Sequence, residues 1–196
     1  SLTLYKGIWN SMTVLNDTLP EFKERLCETN EDGYNVLQVA VMQSNLKILQ
    51  YIIKKLVEDI FNERDLVKYL KVQSKDEQNI LQLAAVHNKY TEVHIWLWDI
   101  ASKYQILKEL ASHRDKQGRN FLHLAAMYNT FEVFKTVYEL TKVYSNEVDR
   151  RKMLMKMEKT AYRNVFQVAK YESIDREIYP WLKTKRKWWY DFLASS

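Results

Sequence analysis

Asn120-Phe-Leu-His-Leu-Ala125 is the third of four copies of one short motif in this chain. The other copies are Asn35-Val-Leu-Gln-Val-Ala40, Asn79-Ile-Leu-Gln-Leu-Ala84 and Asn164-Val-Phe-Gln-Val-Ala169, and successive copies start 44, 41 and 44 positions apart. A period of this length is typical of proteins built from stacked structural units that contact only their neighbours. We therefore expect one elongated domain rather than a closed globule.

The third unit indicates how one repeat folds. The stretch from Asp115 to Gly118 predicts a turn with Gly118 at positive φ, and Asn120 stands where a helix N-cap is expected. Asn129 is predicted to end this first helix in the left-handed region, and a second amphipathic helix should begin at Phe131. The apolar face of the first helix consists of Leu122, Ala125 and Ala126. Neither helix can bury its apolar face alone, so the units must stack.

The composition suits helices, because the chain has 46% hydrophobic residues but only 3 Gly and 2 Pro. No apolar run is long enough to span a bilayer. The single cysteine, Cys27, cannot form an internal disulfide, so we expect an intracellular protein of the cytoplasm or nucleus. The net charge of +5 is uneven: residues 150–196 carry 12 Lys and Arg against 5 Asp and Glu, whereas residues 1–149 carry 18 against 20.

These units resemble the ankyrin repeat, whose pattern is D-x-x-G-x-T-P-L-H-x-A-A followed by a second helix. The third unit matches the pattern at Asp115, Gly118, Leu122, His123, Ala125 and Ala126, and the resemblance covers about residues 30 to 175. In every copy Asn replaces the family's Thr, and Val, Ile or Phe replaces its Pro; in three copies Gln replaces its His. The resemblance implies an all-α, ankyrin-like solenoid of four repeats with degenerate terminal caps.

Each unit exceeds the family's repeat by roughly eight to eleven residues. The extra stretches 65–70, 105–110 and 150–157 read as helical, either as an extension of the second helix or as a short third helix. We divide the single domain into a cap pair (1–29), three repeats (30–73, 74–114, 115–158), a partial fourth repeat (159–180) and a closing helix (181–196). The first cap helix is expected over 8–12 and the second over 20–26.

No catalytic, cofactor or metal site is predicted. The histidines, His87, His94, His113 and His123, are scattered without ligand spacing, and His123 occupies the ankyrin motif's own structural histidine position. Cys27 is interpreted as a small buried hydrophobe. Met153, Met155 and Met157 are expected to pack the inserted helix, with a pliable partner surface as the alternative. One of Trp96 and Trp98 should lie in the core, because neighbours two apart point to different helix faces.

The ankyrin resemblance implies a protein-binding function, with partner contacts at two places in each unit. At the turn tips these are Glu31 and Tyr34, Lys75 and Gln78, Lys116, Gln117 and Arg119, and Arg163. At the ends of the first helices they are Met42 and Gln43, Val86 and His87, and Met127 and Tyr128, with Tyr171 as a further position. The partner would be a folded domain or a peptide.

Two further interpretations stay open at the level of sequence. The first unit and the long spacer after it resemble the inhibitor-of-NF-κB group, which implies binding of a transcription factor. Alternatively, the basic and aromatic segment within 150–196 could bind nucleic acid or an anionic membrane, although its tryptophans fit a closing helix better. Self-association as a structural scaffold is a third hypothesis.

Overall fold

The structure, a computed structural model, describes residues 23, 24, 26–43 and 46–185, the side chain of Asp59 excepted, and these residues form helices and turns without a strand. In chain order the helices are α1 (Val36–Gln43), α2 (Leu46–Lys55), α3 (Glu63–Leu70), α4 (Ile80–His87), α5 (Thr91–Lys103), α6 (Leu107–Ser112), α7 (Phe121–Tyr128), α8 (Phe131–Tyr144), α9 (Glu147–Met155) and α10 (Val165–Tyr171). A short π-helix (Leu56–Ile60) follows α2, and residues 178–185 are helical. The all-α class is confirmed.

The motif asparagines are helix N-caps, as predicted. The side chain of Asn79 accepts a hydrogen bond from the backbone N–H of Gln82, and Gln82 Oε1 accepts one in return from the N–H of Asn79 at 3.0 Å. In α7 the ring of His123 takes the place of the glutamine, and its Nδ1 lies 3.4 Å from the backbone nitrogen of Asn120 and 2.8 Å from Asn120 Oδ1. Gln and His can serve in the same place in different units because both side chains carry a polar atom that reaches the N-cap from the third helical position.

The extra residues form a separate third helix in each of the first three units: α3, α6 and α9. A break in backbone conformation separates α6 from α5 at Gln105, where φ is 58°, and α9 from α8 at Ser145, which is extended. α3 and α9 also have their own N-caps, Asn62 and Asn146. A simple extension of the second helix is therefore excluded for these units.

Equivalent helices of consecutive units pack on one another. α1 packs against α4, α4 against α7 and α7 against α10, while α2 packs against α5 and α5 against α8. The apolar faces merge into one hydrophobic cluster running from Leu26 to Leu182. Trp98 is 1% exposed within it, which confirms that one of the two paired tryptophans is core. Trp96 is half-buried.

Asparagine side chains join neighbouring units at the ends of the first helices. Asn88 Nδ2 donates to the carbonyl of Val41 at 2.6 Å, and Asn129 Nδ2 donates to the carbonyls of Ala85 at 3.0 Å and Asn88 at 2.9 Å. The predicted left-handed stop at Asn129 is wrong, since this residue is extended with φ −120°. An extended backbone lets the buried amide reach back to the preceding unit.

Two predictions of buried side chains are also wrong. Cys27 is exposed, because the adjacent Leu26 takes the core position of that helical turn. Of the three methionines expected to pack the inserted helix, Met153 is partly buried against the core, as predicted. Met155 is 45% and Met157 52% exposed, because Leu154 fills the core position of α9 and Met157 lies beyond the end of that helix.

The predicted terminal elements fall largely outside the described residues. The cap helix expected over 8–12 lies entirely outside them, and of the stretch 20–26 only residues 23, 24 and 26 are described. The helix at the other end begins at residue 178 rather than 181, because Ile178 is buried with Leu182, and it is described as far as residue 185. None of the helices in the described ranges combines the length and apolar character of a membrane span.

Candidate partner-binding surface

The turns that precede the first helices share one construction. Each is closed by a bond from the N–H of its first residue to the carbonyl of its last, as from Asp115 to Arg119 at 3.0 Å and from Glu158 to Arg163 at 2.9 Å. The same bond closes 30–34 and 74–78. The fourth turn, 158–163, is one residue longer than the others.

Backbone hydrogen bonds also link each turn to the next. The N–H of Lys75 donates to the carbonyl of Asp32 at 3.0 Å, and the N–H of Lys116 donates to the carbonyl of Asp76 at 3.0 Å. The N–H of Lys159 continues the series, donating to Gln117 at 2.7 Å. We call the four linked turns, 30–34, 74–78, 115–119 and 158–163, the turn row. Its backbone is held in place independently of any ligand.

A polar side chain at the first position of each turn accepts hydrogen bonds from backbone N–H groups of the same turn. Asp115 is 1% exposed, and its Oδ1 accepts the N–H groups of Gln117 at 3.1 Å and Arg119 at 2.8 Å. Asn30 and Ser74 do the same in their turns. Glu158 accepts three N–H groups, including that of Ala161 at 2.7 Å. Burial alone would raise the pKa of Glu158, but these hydrogen bonds outweigh it and the pKa is lowered.

The residue two positions before each motif asparagine has positive φ. In units one and three this residue is a glycine, Gly33 (φ 81°) and Gly118 (φ 79°). A Cβ added at Gly33 would lie 2.9 Å from the Lys75 nitrogen, and one added at Gly118 would lie 2.8 Å from Lys159 Cγ. In units two and four it is Glu77 (60°) and Tyr162 (54°). Positive φ is rare for a bulky side chain, and Tyr162 is also 72% exposed. An aromatic side chain therefore projects from a constrained backbone position at the end of the turn row.

The predicted turn contacts differ in their accessibility. Glu31, Lys75 and Lys116 are exposed, and Tyr34, Gln117, Arg119 and Arg163 are half-buried. Gln78 is only 7% exposed, so its prediction as a surface contact is wrong. The last position of a turn lies where the chain enters the helix layer, and every residue at that position is at least partly covered.

The two arginines of the turn row are engaged within the chain. Arg119 Nε and Nη2 each lie 2.7 Å from Asp115 Oδ2, and Nη2 donates to Gln117 Oε1 at 3.1 Å. Arg163 pairs with Glu172. These guanidinium groups brace their turns, so substituting them would change the shape of the surface as well as its charge.

The predicted contacts at the first-helix ends form a second series. Gln43, His87, Tyr128 and Tyr171 are exposed, and Met42, Val86 and Met127 are half-buried. Lys89 Nζ donates to the Tyr128 carbonyl at 2.6 Å, joining two consecutive units here. Partial burial, followed by the charge of Lys89, lowers the pKa of His87. An eight-residue helix is about 12 Å long, and that length separates this series from the turn row.

Sequence reasoning missed several turn-row residues. Asp76, Glu77, Lys159 and Tyr162 are exposed there. The fourth turn has no glycine and one extra residue, which hid its correspondence to the others. The sequence could have identified Tyr162 as a turn residue by its position, because it lies two residues before a motif asparagine, as Gly118 does.

The histidines have structural contacts rather than a shared site. His94 Nε2 lies 3.0 Å from the carbonyl of Asn88, and His113 Nε2 lies 2.5 Å from that of Glu77. His123 is fully buried. Within the described ranges, no three His, Cys, Asp or Glu side chains are grouped as a metal site requires.

The start of the closing helix, within the basic segment 150–196, is packed on α8 through Trp181. The ring centroid of Trp181 lies 5.7 Å from that of Phe131, 6.1 Å from Phe134 and 5.0 Å from Tyr138. Lys185 Nζ lies 5.0 Å from the Trp181 centroid. Trp181 thus covers the exposed end of the helix stack. The aromatic residues that follow Trp181 in the sequence, Trp188, Trp189, Tyr190 and Phe192, lie outside the described residues.

Comparison with known proteins leaves the family open. The chain matches none of the models of protein families, and no curated protein matches it either. Among solved structures, one similar chain comes from the complex of the predatory endopeptidase Bd0816 from Bdellovibrio bacteriovorus with the immunity protein Bd3460. The TM-score is 0.35 and the sequence identity 14%, over 83% of this chain and 83% of that chain. A similarity this low carries no argument about fold or function.

Proposed function

We propose that this chain is a non-catalytic protein-binding module, an ankyrin-like solenoid that contacts its partner through the turn row. The observation that carries the proposal is the set of backbone hydrogen bonds joining the turns into one continuous row. The packing of α1, α4, α7 and α10 in series supports the solenoid architecture.

The turn row suits recognition because little of it has to be ordered on binding. Its backbone bonds and the acceptor side chains at the first position of each turn, of which Ser74, Asp115 and Glu158 are buried, already fix the turn conformations. This reduces the entropy lost when a partner binds. Exposed charges and one exposed aromatic ring, Tyr162, project from this fixed backbone. Tyrosine is among the residues that most often dominate the binding energy of an interface.

Charge along the row is ordered from one end to the other. Unit one presents Glu31 and Asp32, whereas units three and four present Lys116 and Lys159. Such an arrangement favours one orientation of a partner that carries positive charge at one end and negative charge at the other. The narrower role of a transcription-factor inhibitor is not part of the proposal. That group concentrates its insertion early in the array, whereas here a third helix recurs in each of the first three units.

The test is capture of a partner from native extract by the wild-type chain and two variants. In the turn-row variant, Glu31, Lys75, Lys116 and Tyr162 are changed to alanine. In the matched control, Lys47, Glu92, Lys135 and Val143, which are exposed on the second helices, are changed to alanine. Both sets truncate one acidic, two basic and one apolar side chain without touching a buried group.

A protein held by the wild type and the control but lost by the turn-row variant is the expected result. Retention by the turn-row variant, or equal loss from both variants, would refute the turn row as the contact surface. Nuclease treatment of the extract distinguishes protein binding from nucleic-acid binding, because capture that depends on nucleic acid would disappear. Circular dichroism checks that all three proteins are folded.

A further inference from the structure

A second concave surface lies between the inserted helices of units two and three. It is a cleft of about 660 Å³ bounded by α6, the end of α8 and α9, and it is open to solvent on one side. We call it the insert cleft. Its apolar wall includes Leu107, Ala111, Met153 and Met155.

The walls of the insert cleft are fixed by contacts behind them. Asn120 Nδ2 donates to the carbonyl of Met153 at 2.6 Å, which holds α9 against the start of α7. The Tyr144 hydroxyl donates to Asp99 Oδ1 at 2.6 Å, and its ring centroid lies 5.7 Å from that of Trp98. These contacts hold the backbone of α9 and the ring of Tyr144 in place behind the cleft.

Positive charge surrounds the apolar wall. Lys108, Arg114, Lys152 and Lys156 line the cleft, and Asp149 is the one carboxylate among the lining residues. Asp149 accepts a hydrogen bond from Asn146 at 2.9 Å and lies 3.8 Å from Lys152 Nζ. Lys108 and Lys156 are exposed, and neither pairs with a carboxylate in the described part of the chain. The cleft thus combines an apolar surface with an excess of cations.

We propose that the insert cleft binds an acidic amphipathic helix of a partner protein. Apolar residues at i, i+3, i+4 and i+7 of the incoming helix would contact the leucine, alanine and methionine wall, and its carboxylates would meet the lysines. Methionine adapts its shape to different apolar side chains. α9, which forms one side, has nine residues and is about 13 Å long, a length that accommodates about two turns of a helix.

A helix fits better than an extended peptide or a small amphiphile. An extended peptide that binds by strand addition needs backbone hydrogen bonds from a strand edge, and the described residues around the cleft are helices and turns. A helix satisfies its own backbone groups and needs only side-chain contacts. Small-molecule sites usually enclose most of their ligand, whereas this cleft is open along one side.

Fluorescence anisotropy with a labelled helical peptide tests the proposal. The probe is a 16-residue peptide with leucine at i, i+3, i+4 and i+7 and glutamate at the exposed positions. Two controls are a peptide with lysine in place of glutamate and a scrambled peptide of the original composition. We expect saturable binding of the acidic amphipathic peptide and at least tenfold weaker binding of both controls.

Variants of the protein show whether the peptide binds in the insert cleft. Lys108→Glu/Lys156→Glu should weaken binding at least tenfold, and Met155→Gln should weaken it several-fold. The matched charge reversal Lys47→Glu/Lys135→Glu, on α2 and α8, should leave the affinity within twofold. All these side chains are exposed or half-exposed, and circular dichroism checks that each variant folds.

The inference is overturned by absence of binding, by equal affinity for the acidic and basic peptides, or by equal effects of the two double variants. Decanoate binding in place of the peptide would also overturn it, in favour of a small amphiphile. The four-alanine turn-row variant should bind the peptide normally. Loss of the peptide in that variant would refute the insert cleft, whereas a failed extract capture at the turn row would not affect this result.

Discussion

Acidification from pH 7 to pH 5 should destabilise this chain by about 2 kcal/mol through His123 alone. Burial, and then the charge of Arg114, lower the pKa of this imidazole from 6.5 to about 4. The unfolded chain therefore takes up a proton between pH 6.5 and 4 while the folded chain keeps the ring neutral. Stability that is present above pH 6.5 is lost as the pH falls through this window.

The size of the effect follows from the pKa difference. One pKa unit corresponds to about 1.4 kcal/mol, so the full difference between 6.5 and about 4 amounts to about 3.4 kcal/mol. At pH 5 the unfolded state is almost fully protonated at this position and the folded state hardly at all. About 2 kcal/mol of the total is then lost relative to pH 7.

His123→Gln should remove this pH dependence. Glutamine occupies the equivalent position in the other three units and keeps the acceptor that the N-cap requires. Urea unfolding at pH 7 and pH 5 measures the free energy of unfolding of both proteins. The wild type should lose about 2 kcal/mol more than the variant between these pH values, and His94, present in both, cancels in the comparison.

The reciprocal variant Gln82→His places an imidazole in the equivalent buried position of unit two. It should gain a pH dependence of the same sign. Equal pH dependence in the wild type and His123→Gln would refute the reasoning, since it would mean that the ring is protonated in the folded state as readily as in the unfolded state.

Three further predictions concern stability, and urea unfolding at pH 7 measures each. Gly118→Ala should cost about 1–3 kcal/mol, because φ is 79° and the added Cβ would lie 2.8 Å from Lys159 Cγ. Glu77 occupies the same position of unit two with φ of 60°, so Glu77→Gly should relieve strain and stabilise the chain by about 0.5 kcal/mol. Asn129→Ala should cost about 2–3 kcal/mol, because it removes two buried amide–carbonyl bonds to the preceding unit. Trp181→Ala should cost about 2 kcal/mol, because the ring is only half-buried but packs on three aromatic residues of α8.

Each of these three predictions has an outcome that contradicts it. A neutral Gly118→Ala would show that the turn relaxes without cost. A loss of stability below about 1 kcal/mol for Asn129→Ala would mean that water replaces the amide. The control is His87→Ala, at an exposed position on the same helix layer, which measures the effect of an alanine substitution that breaks no bond between units. Trp181→Phe should recover most of the loss of Trp181→Ala, and no recovery would argue against the aromatic packing.

The fold followed from the sequence where the signal was local. The asparagine caps, the turn ending at Gly118 and the apolar faces of the first helices depend on residues within one turn of each other, and four copies of the motif reinforce them. The inserted helices were also predicted, because α3, α6 and α9 carry their own helical pattern. The sequence did not predict whether each inserted stretch extends the second helix or forms a separate helix. A single residue such as Gln105, with φ of 58°, decides between the two.

The parts that sequence reasoning missed depend on contacts between units. Nothing in the sequence around Asn129 indicates that its amide reaches carbonyls 41 and 44 positions earlier. The burial of Gln78 and the exposure of Met155 likewise depend on which neighbouring residue takes the core position. The insert cleft joins residues from α6 to α9, and only the stacking brings these together.

The bonds between turns have a consequence for how the chain is made. Each of these bonds pairs a carbonyl with an N–H group that is synthesised about 40 residues later. The carbonyls of Asp32, Asp76 and Gln117 accept from the N–H groups of Lys75, Lys116 and Lys159, respectively. A growing polypeptide must therefore lengthen by about one whole repeat before the turn already synthesised can complete its bonds. Synthesis and folding should advance together, one repeat behind the ribosome, and a pause in translation within a repeat would leave the newest turn open at its edge.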